Sequence, residues 1–409
     1  MKILYLCDFG SAHGGAEIAT LALRDGLRAR GHQAMLLSSS ATPSDLPILA
    51  DYVCFGTTGR GQMLLETANP SAWFTLRRVL HEFQPDVVHV SMFLLELSPL
   101  ILPLLRDTPS LYHVHWLRPI CPTGTKLLPS RSICTQPAGW TCHQSGCLSL
   151  PDWTLAMTQM HLWRRWSGVF HRFVTPSEFA GSALESAGLP SPTIIPNGVA
   201  IRPARPALSD PPTAFFCGRL VKEKGIDVLL KAWFTVSRRI PSARLIIAGD
   251  GPDRPLLEKQ AQEQRPGPGC PTPGGVEFLG HIPYARIEEA ACNAWLTVVP
   301  SVCVENFTLV AVESLMRGTA VIASRVGGLP ELVADGESGV LVEPNRPDQL
   351  AEALVTMLGD RARCESMGRR GREVAVRSLS MDAYLDRFVA LYAEMRRPPT
   401  GVDARPPAR

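Results

Sequence analysis

In SVCVENFTLVAVES (301–314) two carboxylates, Glu305 and Glu313, stand with seven residues between them. An apolar run ending at Pro300 precedes them, and a second run, TAVIASRVGG, follows. Pro300 and Ser301 close a strand, Glu305 and Asn306 occupy the loop, and a helix is expected from about Thr308. The N–H groups of Leu309 and Val310 in its first turn lack acceptors within the helix and favour a phosphate. Glu305 can accept hydrogen bonds from a sugar. Glu313, one turn further in, can accept two hydroxyl protons from a ribose.

Cations stand in a second stretch, FFCGRLVKEKGIDVLLKAW (215–233). A strand ends at Cys217, Gly218 relieves crowding, and Arg219 and Lys224 lie before a helix. Two cations and a helix N-terminus make an anion site suited to a diphosphate. Gly14 and Gly15 in FGSAHGGAEIA, and Gly249 and Asp250 in ARLIIAGDGPDRPLL, follow strands in the same way. Each pair either lets a ligand approach the backbone or merely turns the chain. Neither is a G-x-G-x-x-G fingerprint.

These residues must be positioned by strands and helices, and the chain alternates them. KILYL, AMLLS, DVVHV, SLYHVH and RFVTP recur in the first half, and TAFFCG, ARLIIAG, VEFLG, AWLTVVP and TAVIAS in the second. Helical patterns lie between, such as AEIATLALRDGLRARG, whose Ile18, Leu21, Leu23 and Leu27 share a face that ends at Gly31. Such alternation predicts parallel sheets covered by helices on both faces. At 409 residues the chain is long enough for two such domains. Proline-dense VAIRPARPALSDPP (199–212) is the expected linker, between domains over 1–198 and 213–380. A closing helix is expected over 381–395 and a disordered tail over 396–409. Two doubly wound domains would face a central cleft, with the substrate site there.

The net charge of +3 speaks against nucleic acid as a partner. MKILYLCDFGSAHGG reads as a strand and a glycine turn rather than a signal peptide. SMFLLELSPLILPLL (91–105) is interrupted by Glu96, Pro99 and Pro103 and is expected as a buried or interfacial helix. Eleven cysteines without an export signal predict reduced thiols and a cytoplasmic protein. Four of them, Cys121, Cys134, Cys142 and Cys147, share a loop-rich segment with His143. Structural zinc, disulfides and inert thiols all remain open there. Within 152–174, Trp153, Trp163 and Trp166 stand beside Arg164, Arg165 and Arg172. That helix either packs on the core or lies at a membrane interface and presents a lipid-linked acceptor.

The whole chain resembles glycosyltransferase family 4, retaining enzymes of the GT-B fold. The resemblance runs through GGAEIATLALRDGLRARGHQA, VTPSEF, IIPNGV, GRLVKEKGIDVLLKAW and AGDGP. It ends with the most diagnostic block, PSVCVENFTLVAVESLMRGTAVIASRVGGLPELVADGESGVLVEP, which carries the family's E-x7-E pattern. It implies that Arg219 and Lys224 hold the donor diphosphate, that Glu313 holds the ribose, and that Glu305 with the main chain of Asn306, Phe307, Thr308, Leu309 and Val310 holds the transferred sugar. Thr308 stands where many members have glycine. Family members carry a His-Asp pair before a Cys-Pro; LYHVHWLRPICPTG (111–124) has His115 and Trp116 there, with His113 the competing histidine. The resemblance implies transfer from a nucleoside-diphosphate sugar to an acceptor hydroxyl, on a glycolipid or a growing glycan, with no cofactor needed for the chemistry. An epimerase or hydrolase on the same scaffold, or a non-catalytic nucleotide-sugar binder, are the competing readings.

Overall fold

The computed structural model describes residues 1–42, 46–59, 61–263 and 275–396. The tail expected over 396–409 lies, beyond Arg396, outside the described residues. The chain divides into two units. Unit 1 comprises 1–129, 134–198 and 381 onward; unit 2 comprises 130–133 and 199–380.

Unit 1 is built on seven parallel strands: β1 (Lys2–Phe9), β2 (Gln33–Ser39), β3 (Tyr52–Cys54), β4 (Val87–Val90), β5 (Ser110–His113), β6 (Arg172–Thr175) and β7 (Thr193–Ile194). Their order is β3-β2-β1-β4-β5-β6-β7. Unit 2 has six: β8 (Thr213–Cys217), β9 (Arg244–Ala248), β10 (Val276–Gly280), β11 (Leu296–Val299), β12 (Ala320–Ser324) and β13 (Gly339–Val342). Their order is β10-β9-β8-β11-β12-β13, again all parallel. The central strands β4, β11 and β12 are buried along their whole length, as sheets covered on both faces require. Each order reverses once, at β1/β4 and at β8/β11, and ligands of open α/β sheets bind outside the carboxyl ends of strands at such points.

The helix Gly15–Ala29 buries Leu21, Leu23 and Leu27, while Ile18, expected on the same face, is 45% exposed. The run 91–105 is buried, but its helix is only a 3-10 segment, Pro99–Leu105. The reason lies just before it: the Asp8 carboxylate accepts the N–H groups of Leu95, Glu96 and Leu97 at 2.7–2.8 Å, bending that backbone into a loop. Pro103 removes a further donor. The tryptophan helix spans Leu150–Trp166, and Arg172 already belongs to β6. Trp163 is fully buried among Phe93, Tyr112, Phe170 and Phe173, the packing alternative at that position. No described helix is long and apolar enough to cross a membrane.

Residues 199–212, expected as a linker, are irregular but packed on unit 2: Leu208 is in its core and the Arg205 N–H donates to the Arg317 carbonyl. The helix Met381–Met395 completes unit 1 rather than unit 2. It buries Tyr384, Leu385, Phe388, Leu391 and Tyr392 beside β1 and the helix Gly15–Ala29, and each large side chain so buried contributes about 2 kcal/mol.

Candidate active site

The carboxyl ends of β8 and β11 collect the predicted residues of unit 2. Pro300 and Ser301 follow β11 directly, and the helix Leu309–Arg317 begins after Thr308, whose side chain does not cap it. The Thr308 hydroxyl is buried without a partner among the described residues. Between them, Glu305 is fixed from three sides. Its Oε1 accepts from Lys224 Nζ at 2.6 Å and from Ser301 Oγ at 2.7 Å, and its carbonyl accepts the Gly328 N–H at 2.6 Å. Gly327 makes that last contact possible: its φ is +61°, and a Cβ there would stand 2.2 Å from the Glu305 oxygen. Asn306 is buried, and Phe307, Leu309 and Val304 pack against the core below.

Glu313, one turn along the helix, accepts a hydrogen bond from the Tyr284 hydroxyl at 3.0 Å. That hydroxyl accepts in turn from Arg202 at 2.8 Å, and Arg202 lies over the Tyr284 ring at 5.2 Å. Arg317, buried and paired with Glu288, stands 4.0 Å from Glu313. Burial raises the Glu313 carboxyl above its ordinary range, and Arg317 and the phenol oppose that rise. Glu313 is thus a half-buried acceptor whose present partner is a replaceable hydroxyl.

Arg219 lies in the loop after β8, exposed, and among the described residues its guanidinium forms no ion pair. Gly218 and Gly249 bring the loops after β8 and β9 together. Gly249 has φ +131°, and a Cβ there would lie 1.9 Å from the Gly218 oxygen. Asp250 is spent locally, accepting the Gly251 N–H at 2.7 Å and pairing with Arg254 at 2.9 Å, which holds its carboxyl low. Arg219, Lys224, Glu305 and Glu313 therefore share one sheet edge, whereas Asp250 reads as part of a turn.

Unit 1 is different in kind. His115 follows β5 and stacks on His113 at 4.0 Å between ring centroids. Burial pushes His115 down to about 4 and His113 also down, so both are neutral at pH 7. His113 lies on His89, whose Nδ1 is 2.6 Å from the Tyr392 hydroxyl. Gly14 precedes the helix Gly15–Ala29 in extended conformation, and Glu17 Oε2 stands 2.4 Å from where its Cβ would be. The Glu17 carboxylate thus lies beside that helix start. Cys121, Cys134, Cys142 and Cys147 are free thiols, joined by no disulfide. Among the described residues no group of three or more His, Cys, Asp or Glu side chains is already arranged to hold a metal ion.

Sequence reasoning missed Ser301 as a partner of Glu305, and Tyr284, Arg202 and Arg317 as partners of Glu313. It also missed Asp8, which organises the loop after β4. Ser301, four residues before Glu305, and Arg317, four residues after Glu313 on the same helix, had a local signal.

Known proteins bear on the family and the fold. A family model described as Glycosyl transferases group 1 matches residues 200–374, and one described as Glycosyltransferase Family 4 matches 13–202. The chain is 34% identical over 174 residues to a GDP-mannose-dependent alpha-(1-6)-phosphatidylinositol monomannoside mannosyltransferase of Mycobacterium tuberculosis, covering 41% of this chain and 43% of that one. It is 36% identical over 179 residues to a D-inositol 3-phosphate glycosyltransferase of Segniliparus rotundus, covering 43% and 38%. The chain thus spans less than half the length of these curated relatives. Among solved structures, sucrose-phosphate synthase from Thermosynechococcus elongatus superposes with TM-score 0.72 at 21% identity, covering 97% of this chain and 99% of that one. An Anabaena protein in complex with UDP and glucose gives 0.68 at 19% identity, covering 96% and 99%. These likenesses show the GT-B fold. With the two family models running in succession from residue 13 to residue 374, the chain belongs to glycosyltransferase family 4.

Proposed function

We propose that the chain is a retaining glycosyltransferase that moves a sugar from a nucleoside diphosphate to an acceptor hydroxyl. The observation that carries this reading is the joint placement of Lys224, Ser301 and Glu305 beside the start of a helix that bears Glu313 one turn on. In this reading the diphosphate takes Arg219, Lys224 and the first-turn N–H groups. The ribose displaces the Tyr284 hydroxyl from Glu313, and sugar hydroxyls bind Glu305.

The acceptor oxygen attacks the anomeric carbon on the face the diphosphate leaves. The C–O bond to phosphate breaks, and the acceptor proton passes to the departing phosphate oxygen. Charge developing there is met by Arg219, Lys224 and the helix start, so no metal is required for the chemistry. Neutral His115 is assigned to a substrate hydroxyl. The acceptor belongs to a glycolipid or another glycoconjugate, with peripheral membrane contact at the cytoplasmic face as part of the same reading.

A thermal-shift screen of nucleotide sugars, followed by transfer assays of the stabilising donor on lipid-linked and soluble acceptors, tests it. Stabilisation by one donor and a product with retained anomeric configuration are expected; an inverted product, or a trapped covalent glycosyl-enzyme, overturns the mechanism. His115→Ala should lower turnover far more than donor affinity, and near-normal turnover would remove its assignment.

A further inference from the structure

Between Thr125 and Leu150, a stretch that belongs to unit 1 apart from residues 130–133, no residue is buried, and the helix there is a single turn, Thr141–Gln144. Yet the segment is sharply folded. Gly124, Lys126, Arg131 and Gly146 all adopt positive φ, and the Cys134 N–H donates to the Lys126 carbonyl at 2.7 Å. The Cys147 and Leu148 N–H groups both return to the Cys142 carbonyl, at 3.0 and 3.2 Å. A stretch this short, without apolar burial, cannot be held by a hydrophobic core, and such pieces are ordinarily stapled by disulfides or a metal.

What the segment does enclose is a cavity of about 20 Å³ lined by Cys121, Cys134, Cys142 and Cys147. That is room for about one water-sized sphere. The Cys147 thiol lies within electrostatic reach of the other three. His143 is turned away, its Nδ1 3.1 Å from the Leu148 carbonyl, and it does not line the cavity.

We propose that this cavity is a structural site for a single zinc ion bound by Cys121, Cys134, Cys142 and Cys147. The thiols line the space without yet meeting at ligand distance, and the ion draws them together to Zn–S bonds of about 2.3 Å. Four thiolate ligands select zinc or an iron–sulfur cluster among biological metals, and a space for about one small sphere favours the single ion. Binding releases the thiol protons to solvent, forms four Zn–S bonds and needs no oxidant. The ion replaces the missing core of the segment and so fixes the loop that follows His115 and Trp116.

The test needs no sugar donor, so it stands apart from the reading of the transferase site. The full chain is purified without chelator, and its zinc is measured by mass spectrometry. About one zinc per chain is expected, released to a chromophoric chelator in step with mercurial titration of the four thiols. Cys134→Ser/Cys142→Ser should lower the zinc at least tenfold, while Cys217→Ser/Cys292→Ser keeps it at one. If the double variant fails to fold, the mercurial release of the native chain decides alone. Zinc below about a tenth per chain, in cooperatively melting protein that takes up no added zinc chloride, overturns the proposal. So does a deficit of four among the eleven thiols in denaturant without reductant, which would mean two disulfides.

Discussion

The carboxyl edges of the two sheets treat charge in opposite ways. On unit 2 the acidic groups are half-buried and already answered by side-chain donors: Glu305 by Lys224 and Ser301, Glu313 by Tyr284 with Arg317 behind. On unit 1 several ionisable groups are sunk in the core, and the buried Arg118 answers Glu66 rather than Asp8 or Glu96. Asp8 is fully buried, accepts only backbone N–H groups, and is pushed up to about 8 by desolvation. Glu96 beside it is pushed to about 7, while His89, His113 and His115 are pushed down. In the proposed reading, one edge exchanges its charge pairs for those of a ligand. The other suppresses charge, which suits hydroxyl chemistry and costs little when no anion arrives.

The largest expected break of this contrast is Lys224→Ala. It removes a cation from the proposed diphosphate site and leaves Glu305 with Ser301 alone. Loss of such a preorganised donor typically costs about 3 kcal/mol in the barrier, so turnover should fall at least a hundredfold. A fall under fivefold would make the Lys224–Glu305 pair structural.

Next is Asp8→Ala, which leaves the N–H groups of Leu95, Glu96 and Leu97 unpaired in the core. A stability loss of about 2 kcal/mol is expected from urea unfolding. An unchanged midpoint would show that the loop after β4 does not depend on that carboxylate.

Tyr284→Phe sharpens the exchange idea on unit 2. It deletes the hydroxyl that a ribose is proposed to displace, so donor affinity measured by calorimetry should rise by about 1 kcal/mol. Weaker binding would mean that the phenol orients Glu313 rather than competing for it.

The smallest effect is in the pH dependence of unit 1. Asp8 at about 8 and Glu96 at about 7 bind protons more tightly folded than unfolded. Their contribution is fully present below roughly pH 4 and is lost as pH climbs through 7 and 8. The three histidines run the other way: their contribution is present above roughly 6.5 and is lost as pH falls below it, toward about 4 for His115. Melting should therefore peak at roughly pH 6 to 6.5, and a flat profile from 6 to 8 would undo the account of the buried carboxyls.

The unit 2 edge was legible because its parts are neighbours in the chain: a loop and one helical turn carry Glu305, the N–H groups and Glu313 within one stretch. Their partners were not. Tyr284 and Arg202 reach Glu313 from 29 and 111 residues away, and no local pattern marks such a meeting. Long internal strands such as LTVV and AVIAS betray themselves by apolar runs, since both faces are buried. The outer strands β3, β7 and β13 were not read, because two to four residues at a sheet edge show neither a run nor an alternation. Ile18 was misplaced because, at about 100° per residue, it falls on the side of the helix opposite Leu27.

The helix Met381–Met395 also bears on synthesis. Its Tyr392 hydroxyl lies 3.0 Å from that of Tyr5, a residue made 387 positions earlier. While a ribosome is still making unit 2, β1 and β4 have nothing covering Tyr5 and His89 on that face. Unit 2 can finish folding as soon as Ser380 emerges, whereas unit 1, begun first, must be completed last. Nascent chains halted near residue 380 are where a chaperone that recognises apolar surface should bind.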